Sequence, residues 1–371
     1  MALRTLPRTG LVTVSELLTQ QTRRVAKAAI VTCGGLCPGI NAVVSDLAGH
    51  LKAAGAEVFG VKGGFRGFYE DGISPWRGND RNSGGSALKV ARGGWALDQI
   101  KQEILTSGFD AIFAIGGDGT HRGLTVLSQA LPSIISVVGI PKTIDNDVFG
   151  FDRCFGFDTA VAEAVRAVHT ACTEAASVHR GLGVVKVMGR HSGHIALAAC
   201  MAQGGVDVCL LPEVPFSLAK VLSHVATLLR EQKKCVVVMA EGCGFSLTDH
   251  SLRSYAKDPS GNPVLPDIAA LFLQQAKVLD AVVKYIDPSY MLRGAPPVAS
   301  DLHLCAQLAL GAALGCEAGY TAFSVGPVGG QIALLSLDYV TTEEKGGWRE
   351  GKKVENAERL LALYLRQPSF R

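Results

Sequence analysis

The chain has 371 residues, 48% of them hydrophobic, with 36 Lys and Arg set against 33 Asp and Glu. That length and apolar content support two buried cores rather than one, and a formal net charge of +3 gives no electrostatic case for nucleic acid or an anionic membrane surface. No apolar run reaches the length needed to cross a bilayer, so the expected partner is a small ligand, with no nucleic acid and no membrane.

Residues 1–25 are basic: Arg4, Arg8, Arg23 and Arg24, with Lys27 just beyond, face a single acid, Glu16. They read either as a frayed tail on a cytoplasmic protein or as the remnant of an organelle transit peptide, which would mean a plastid. Residues 28–32 then form a short apolar strand, 34–39 a glycine-rich loop, 41–54 an amphipathic helix and 57–61 the next strand, which together make one βαβ unit. Residues 66–92, rich in Gly, Asn and Ser, read as a long surface loop of the kind that forms lids or ligand arms. The strand–loop–helix unit then returns. Residues 110–115 feed Gly116-Gly117-Asp118-Gly119-Thr120 and a helix over 124–131, and residues 134–140 feed Pro141-Lys142-Thr143-Ile144-Asp145-Asn146-Asp147. Residues 183–187 lead into Met188-Gly189-Arg190 and a helix over 195–203, and residues 235–240 into Glu241-Gly242. The polar stretch 244–266, with Pro259, Pro263 and Pro266, reads as a second surface loop or a disordered segment. Repeated crossovers of this kind predict parallel strands with helices on both faces, hence two doubly wound α/β layers.

Strands that end in such loops deliver charged side chains to the carboxyl edge of a sheet, where open α/β folds bind ligands. Cys33-Gly34-Gly35-Leu36-Cys37-Pro38-Gly39 lets backbone approach closely ahead of a helix N-terminus, which suits either an anion or a ligand-free tight turn. Asp118, between glycines, is either a turn residue or an anchor for hydrated Mg²⁺ against a polyphosphate. If residues 143–147 are extended, Asp145 and Asp147 fall on one side. Two such carboxylates can divide the work of a base that deprotonates an alcohol and a group near a metal, with Lys142 as a point charge for the transferred phosphoryl group. Ten cysteines, at 33, 37, 154, 172, 200, 209, 235, 243, 305 and 316, form no C-x-x-C pair. They read as buried thiols in a reducing compartment, Cys33 and Cys37 included.

TCGGLCPGIN, ARGG, GGDGT, GIPKTIDNDV, FGFDTA, KVMGRHSG, LPEVPF, MAEGCG and YIDPSYMLRG occur in this order between about residues 28 and 345. The chain thereby resembles the 6-phosphofructokinases, in the branch found as ATP-dependent enzymes in plants and kinetoplastids. The resemblance implies an α/β protein of two doubly wound three-layer αβα (Rossmann-like) domains with the active site in the cleft between them. Residues 26–156 plus 292–340 would bind nucleotide, and 157–291 plus 341–371 would bind fructose 6-phosphate. It implies glycolytic transfer from ATP, with Mg²⁺, to the sugar's 1-hydroxyl, giving fructose 1,6-bisphosphate. Asp145 would be the general base, Thr143 would contact the reacting region and Asp147 would lie near the metal. Gly35, Arg92, Gly93, Gly117, Asp118, Gly119 and Thr120 would meet the nucleotide, with Asp118 on Mg²⁺. Thr143, Ile144, Asp145, Met188, Gly189, Arg190, Glu241, Lys284, Tyr290, Met291, Leu292 and Arg293 would meet the sugar phosphate. A homo-oligomer, dimer or tetramer, and allosteric control by an effector the sequence does not name complete what the resemblance implies.

Two departures bear on specificity. Pyrophosphate-using relatives carry an aspartate where this chain has Gly119, which favours ATP, although Lys142 is shared with them. Lys284 stands where bacterial members lend an arginine from a neighbouring subunit, and Gly181, beside Arg180, stands at the other such position. NAD and lipid kinases also display GGDGT but lack PKTIDND, MGR and YMLR. A catalytically silent sugar-phosphate sensor would be expected to have lost Asp145 or Asp118.

Overall fold

The computed structural model describes residues 3–20, 22–247, 264, 267–344, 347–348 and 351–371. Most of the proline-containing polar stretch, residues 248–263 with 265 and 266, lies outside the described residues. The chain divides into two compact units, one of Met1–Ile144, Val148–Asp158 and Arg293–Gly351, the other of Asp145–Asp147, Thr159–Leu292 and Lys352–Arg371. Both are doubly wound α/β structures.

The first unit is built on an eight-stranded sheet in the order Leu11–Thr13, Gln331–Ser336, Phe323–Val328, Ser136–Pro141, Ala111–Gly116, Lys27–Thr32, Glu57–Val61 and Ile73–Pro75. Its five central strands run parallel and the outer ones antiparallel. Continuous apolar runs such as AIFAIG and SVVGIP suit this place, because a central parallel strand is covered on both faces; both are buried throughout. Ala29, Val31, Ile112, Ala114 and Val137 face Ile100 and Ile104 of the helix Leu97–Thr106 and Leu124 and Leu127 of the helix Asp118–Ala130. Helices Ile40–Ala53 and Ala299–Glu317 pack on each other and against the sheet on its other side.

Two expectations are corrected in this unit. Residues 66–92 are not a free lid: Ile73–Pro75 pairs with Glu57–Val61, and Leu88 is buried. Asn41 donates to Ser83 O (3.3 Å) and Ser83 Oγ (3.0 Å) and accepts from Ala87 N (2.8 Å), while Arg81 forks Asp46 at 2.6 and 2.7 Å. The segment looked irregular because side-chain to backbone bonds, not a hydrophobic period, order it. Nor is the basic N-terminus frayed. Arg4–Thr5 pairs with Tyr320–Thr321, Leu11–Thr13 extends the sheet, and Leu6, Leu17 and Val25 are buried. Arg4 and Arg23 serve as clamps: Arg4 lies 4.6 Å from the Tyr320 ring centroid, and Arg23 donates to Cys316 O (3.2 Å) and Ile134 O (3.3 Å).

The second unit holds a parallel four-stranded sheet in the order Val282–Ile286, Gly181–Val187, Lys234–Ala240 and Val208–Leu210. Leu182, Val184, Val237 and Met239 pack on Val221 and Val225 of the helix Leu218–Glu231 and on Phe272 of the helix Ile268–Ala276. On the other face Gly181 and Gly183 let the strand approach Ala171 and Ala175 of the helix Phe157–Ala176; a methyl on Gly181 would overlap the Ala175 carbonyl. The C-terminal chain secures the short edge strand: Gln367 Oε1 accepts from Cys209 N (2.7 Å) and Phe370 O from Ser217 N (2.7 Å). All ten cysteines are free, and only Cys172 is less than fully buried.

Candidate active site

In the first unit, three adjacent parallel strands, Lys27–Thr32, Ala111–Gly116 and Ser136–Pro141, end at one edge and carry the Cys33-Gly34-Gly35 loop, the GGDGT segment and Lys142. Lys142 is buried; its backbone N–H donates to Gly116 O (2.9 Å) and its Nζ to Gly35 O (2.9 Å). Gly34 has φ +86°, a conformation glycine adopts without strain, and a methyl there would sit 3.5 Å from Lys142 Nζ. A methyl on Gly35 would lie 3.4 Å from Arg293 Nη1 and 3.7 Å from Arg92 Nη2. Arg92 is brought there because Gly34 N donates to Ala91 O (2.9 Å); Arg92 and Gly93 are exposed. Three cationic groups therefore surround a bare stretch of backbone. Arg293, expected to meet the sugar phosphate, belongs to this unit, in keeping with the expected bounds 292–340, and to this cluster.

Asp118, Gly119 and Thr120 are not a loop but the first turn of the helix Asp118–Ala130, which begins six residues ahead of the predicted one. Thr120 N and His121 N donate to Gly117 O (2.9 and 3.1 Å), and a methyl on Gly116 would overlap Thr120 Oγ1. The N–H groups and dipole of such a helix start favour an anion. A methyl on Gly119 would meet no heavy atom within 4 Å.

Sequence reasoning missed His121. Its ring is fully buried, with Nδ1 3.1 Å from Gly117 O and Nε2 2.8 Å from Ser324 Oγ. Burial pushes its pKa down to about 4, so the neutral ring donates from Nδ1 to the carbonyl and accepts at Nε2 from the serine hydroxyl. The available signal was Gly139, inside a strand, where a methyl would sit 2.8 Å from Nε2. Cys33 is buried with its thiol pushed up to about 12, chiefly by desolvation, and Cys37 Sγ donates to Phe155 O (3.3 Å). Both behave as packing residues.

In the second unit, the Asp145–Asp147 segment is not extended. Asn146 has φ +54°, so the alternation that would set Asp145 and Asp147 on one side does not hold. Asp145 O accepts from Ser192 Oγ (3.0 Å) and Asp147 O from Lys352 N (2.6 Å), which is why these residues go with the second unit. Met188-Gly189-Arg190 and Glu241-Gly242 follow neighbouring parallel strands and touch through Gly242 N to Gly189 O (3.0 Å). Gly189 has φ +136°, and a methyl on Gly242 would overlap Arg190 O.

The other expected sugar-side residues are spread out. Tyr290 and Met291 are exposed at 81% and 54% on the short helix Ser289–Gly294, whereas Leu292 is fully buried. Asp287, just before that helix, pairs with Lys186 Nζ at 2.9 Å. Lys284 Nζ lies 3.1 Å from Glu174 Oε2, so its ammonium is held by an acid of its own unit. Arg180 donates to Asp280 O (2.8 Å) and Leu279 O (2.7 Å), which commits it to its turn. Ile144 and Thr143 close the first unit's strand-end loop, the former buried.

Among the described residues, no group of three or more His, Cys, Asp or Glu side chains could hold a metal. Asp118, at the start of the helix Asp118–Ala130, is a single carboxylate at the first unit's strand-end edge, the kind of ligand Mg²⁺ takes together with phosphate oxygens and water.

A family model described as phosphofructokinase matches residues 27–315. The protein named ATP-dependent 6-phosphofructokinase 4, chloroplastic, from Arabidopsis thaliana is 41% identical over 335 residues, covering 85% of this chain and 63% of that protein. The ATP-dependent 6-phosphofructokinase 1 of the same plant is 40% identical over 92% of this chain and 76% of its own length; the ATP-dependent 6-phosphofructokinase of Trypanosoma brucei brucei is 40% identical over 76% and 61%. The chain thus spans less than two thirds of the chloroplastic and trypanosomal relatives. Among solved structures, Pichia pastoris phosphofructokinase in the T-state aligns with TM-score 0.70 at 24% identity over 86% of this chain and 36% of that one. A pyrophosphate-dependent phosphofructokinase from Marinobacter aquaeolei aligns with TM-score 0.73 at 21% identity over 93% of each chain. These two speak for the fold.

Proposed function

We propose an activity for this chain on one premise: it belongs to the phosphofructokinase family. It transfers the γ-phosphoryl group of ATP to the 1-hydroxyl of fructose 6-phosphate, giving fructose 1,6-bisphosphate and ADP. The observation that carries the reading is the cluster of Lys142 Nζ, Arg92 and Arg293 around Gly34 and Gly35, on the sheet edge where a helix begins at Asp118. Phosphoryl transfer needs little covalent help from a protein and much positive charge in fixed places, and a buried lysine tied to a loop carbonyl is such a charge.

Gly35, Arg92, Gly93, Gly117, Gly119 and Thr120 offer backbone and charge to the polyphosphate. Mg²⁺, when bound, draws charge off the β- and γ-phosphates, and Asp118 is the residue that would hold it. Asp145 accepts the proton of the 1-hydroxyl, with Thr143 and Asp147 flanking it on the same loop. Arg190 forks the sugar phosphate, and Met188, Gly189 and Glu241 shape the sugar's pocket from the adjoining loop ends. Tyr290 and Met291 contribute exposed surface to substrate, Leu292 anchors their helix, and Ile144 and Lys284 act through packing and through Glu174.

ATP rather than pyrophosphate is favoured by the open space at Gly119, which leaves room for an α-phosphate. A homo-oligomer, dimer or tetramer, is supported by the edge strand Val282–Ile286, whose Val282, Val283 and Tyr285 are exposed. A cytoplasmic site of action is proposed, with a plastid as the alternative that the chloroplastic relatives raise. Among the described residues no helix is long and apolar enough to cross a membrane.

The deciding experiment is a coupled assay with fructose 6-phosphate, offering ATP or pyrophosphate in turn, on the wild type and on Asp145→Ala. Loss of the base lowers kcat by about 10²–10⁴-fold. An Asp145→Ala enzyme with wild-type kcat would remove the assignment.

A further inference from the structure

We propose that Glu213 is a positioning residue for the reaction, the carboxylate through which the C-terminal chain at residues 352–354 braces the loop carrying Asp145. This rests on the reading of Asp145 as the base. Glu213 lies in LPEVPF, between the strand Val208–Leu210 and the helix Leu218–Glu231. Its Oε1 accepts from Gly193 N (2.9 Å) and from Val354 N (2.9 Å), and its Oε2 also approaches Gly193 N (3.1 Å). Each donor sits next to a tether of the Asp145–Asp147 loop. Ser192, one residue before Gly193 and almost wholly buried, bonds Asp145 O at 3.0 Å; Lys352, two residues before Val354, bonds Asp147 O at 2.6 Å. One carboxylate thus fixes the two backbone segments that hold the base-bearing loop by its two carbonyls.

The geometry is built for this contact. A methyl on Gly193 would stand 2.9 Å from Glu213 Oε2 and 2.6 Å from Leu211 Cδ2, so the approach needs glycine. Gly193 is also the residue from which the helix His194–Gln203 starts, where backbone N–H groups lack helical partners and a carboxylate is the favoured acceptor. The loop itself requires restraint, because Asn146 is held at φ +54°. The other end of the brace is firm: Val354, Ala357 and Leu361 are buried, and Gln367 and Phe370 bond the edge-strand region. This C-terminal chain lies beyond residue 315, where the match to the family model ends.

A general base must stay within hydrogen-bond reach of its proton, and a misplacement of about 1 Å costs about 10²-fold in rate. Glu213→Ala is therefore expected to lower kcat about 10–100-fold while KM for Mg-ATP stays unchanged, because Gly35, Asp118 and Lys142 belong to the other unit. Glu213→Gln keeps one acceptor oxygen and should fall between. Ser192→Ala removes one of the two tethers that Glu213 braces, so the losses of the Ser192→Ala/Glu213→Gln double variant should fall short of the product of the two single losses.

Wild-type kcat in Glu213→Ala, a KM effect on ATP with kcat intact, or losses that multiply in the double variant would each overturn the proposal. Should Glu213→Ala fail to melt cooperatively, Glu213→Gln and Ser192→Ala decide it. Amide exchange at residues 145–147 separates this inference from the assigned reaction. It should quicken in Glu213→Gln even if the wild type proved inactive on fructose 6-phosphate, and unchanged exchange there would refute the brace.

Discussion

At Gly119 the protein leaves open space, so an aspartate there should fold normally and act only on the ligand. Gly119→Asp is expected to keep the wild-type melting temperature and to lower kcat/KM for ATP by about 10²–10³-fold, since like charges brought together cost several kcal/mol; an unchanged ATP rate would remove this account of donor choice. His121 sets a pH limit. Its folded pKa of about 4 lies below the ordinary 6.5, so above pH 6.5 both folded and unfolded chains carry the neutral ring. As pH falls below 6.5 the unfolded chain takes the proton first, and stability drains by up to about 1.4 kcal/mol per pH unit until the folded ring titrates near 4. Melts of the wild type and His121→Gln should therefore converge as pH drops from 6.5 toward 4, and a constant gap would contradict this. His194, also lowered to about 4 by burial with help from Lys352, adds in the same direction. The two histidines show what a sequence conceals at this scale. GGDGT advertises Asp118 because a motif is local, whereas the surroundings that neutralise His121 include Gly139 on the following strand and Ser324, far away in the chain. Asn146 is hidden for a related reason: a left-handed asparagine looks like any other residue in a charged run until its φ of +54° is known.

Elements were legible where their order is carried by continuous hydrophobicity. Lys27–Thr32, Ala111–Gly116 and Lys234–Ala240 fell within one or two residues of expectation, because strands buried on both faces must be apolar throughout. The helix Asp118–Ala130 begins ahead of the predicted one because Gly117 and Gly119 disguise its first turn. The segment 66–92 reads as a surface loop from sequence because Asn41, a lone polar residue on the buried face of a helix, carries its order. Asn41→Ala is expected to cost about 0.5–1.5 kcal/mol for each bond lost, since water can reach partners such as the exposed Ala87 N–H. Because this segment delivers Arg92 to Gly35, KM for ATP should rise along with the loss of stability, which urea unfolding and steady-state kinetics would measure together. A variant with unaltered unfolding midpoint would mean that the segment is held elsewhere.

For the whole molecule, the repeated strand–loop–helix rhythm was enough to foresee doubly wound α/β architecture, since parallel strands admit few connections. The short N-terminal strands were invisible because two or three residues carry no period, and their partners, Tyr320–Thr321 and Gln331–Ser336, lie at the far end of the chain. That arrangement bears on how the protein is made. Ser136–Pro141 leaves the ribosome early, yet its neighbour on one side, Phe323–Val328, is translated only after every residue from Thr159 to Leu292. Until then a wholly apolar strand keeps one row of amides and carbonyls open to any passing chain, an invitation to aggregate. A nascent polypeptide with such an interval is exposed to aggregation for longer, and a premature stop anywhere before residue 323 would release a sheet that can never be completed.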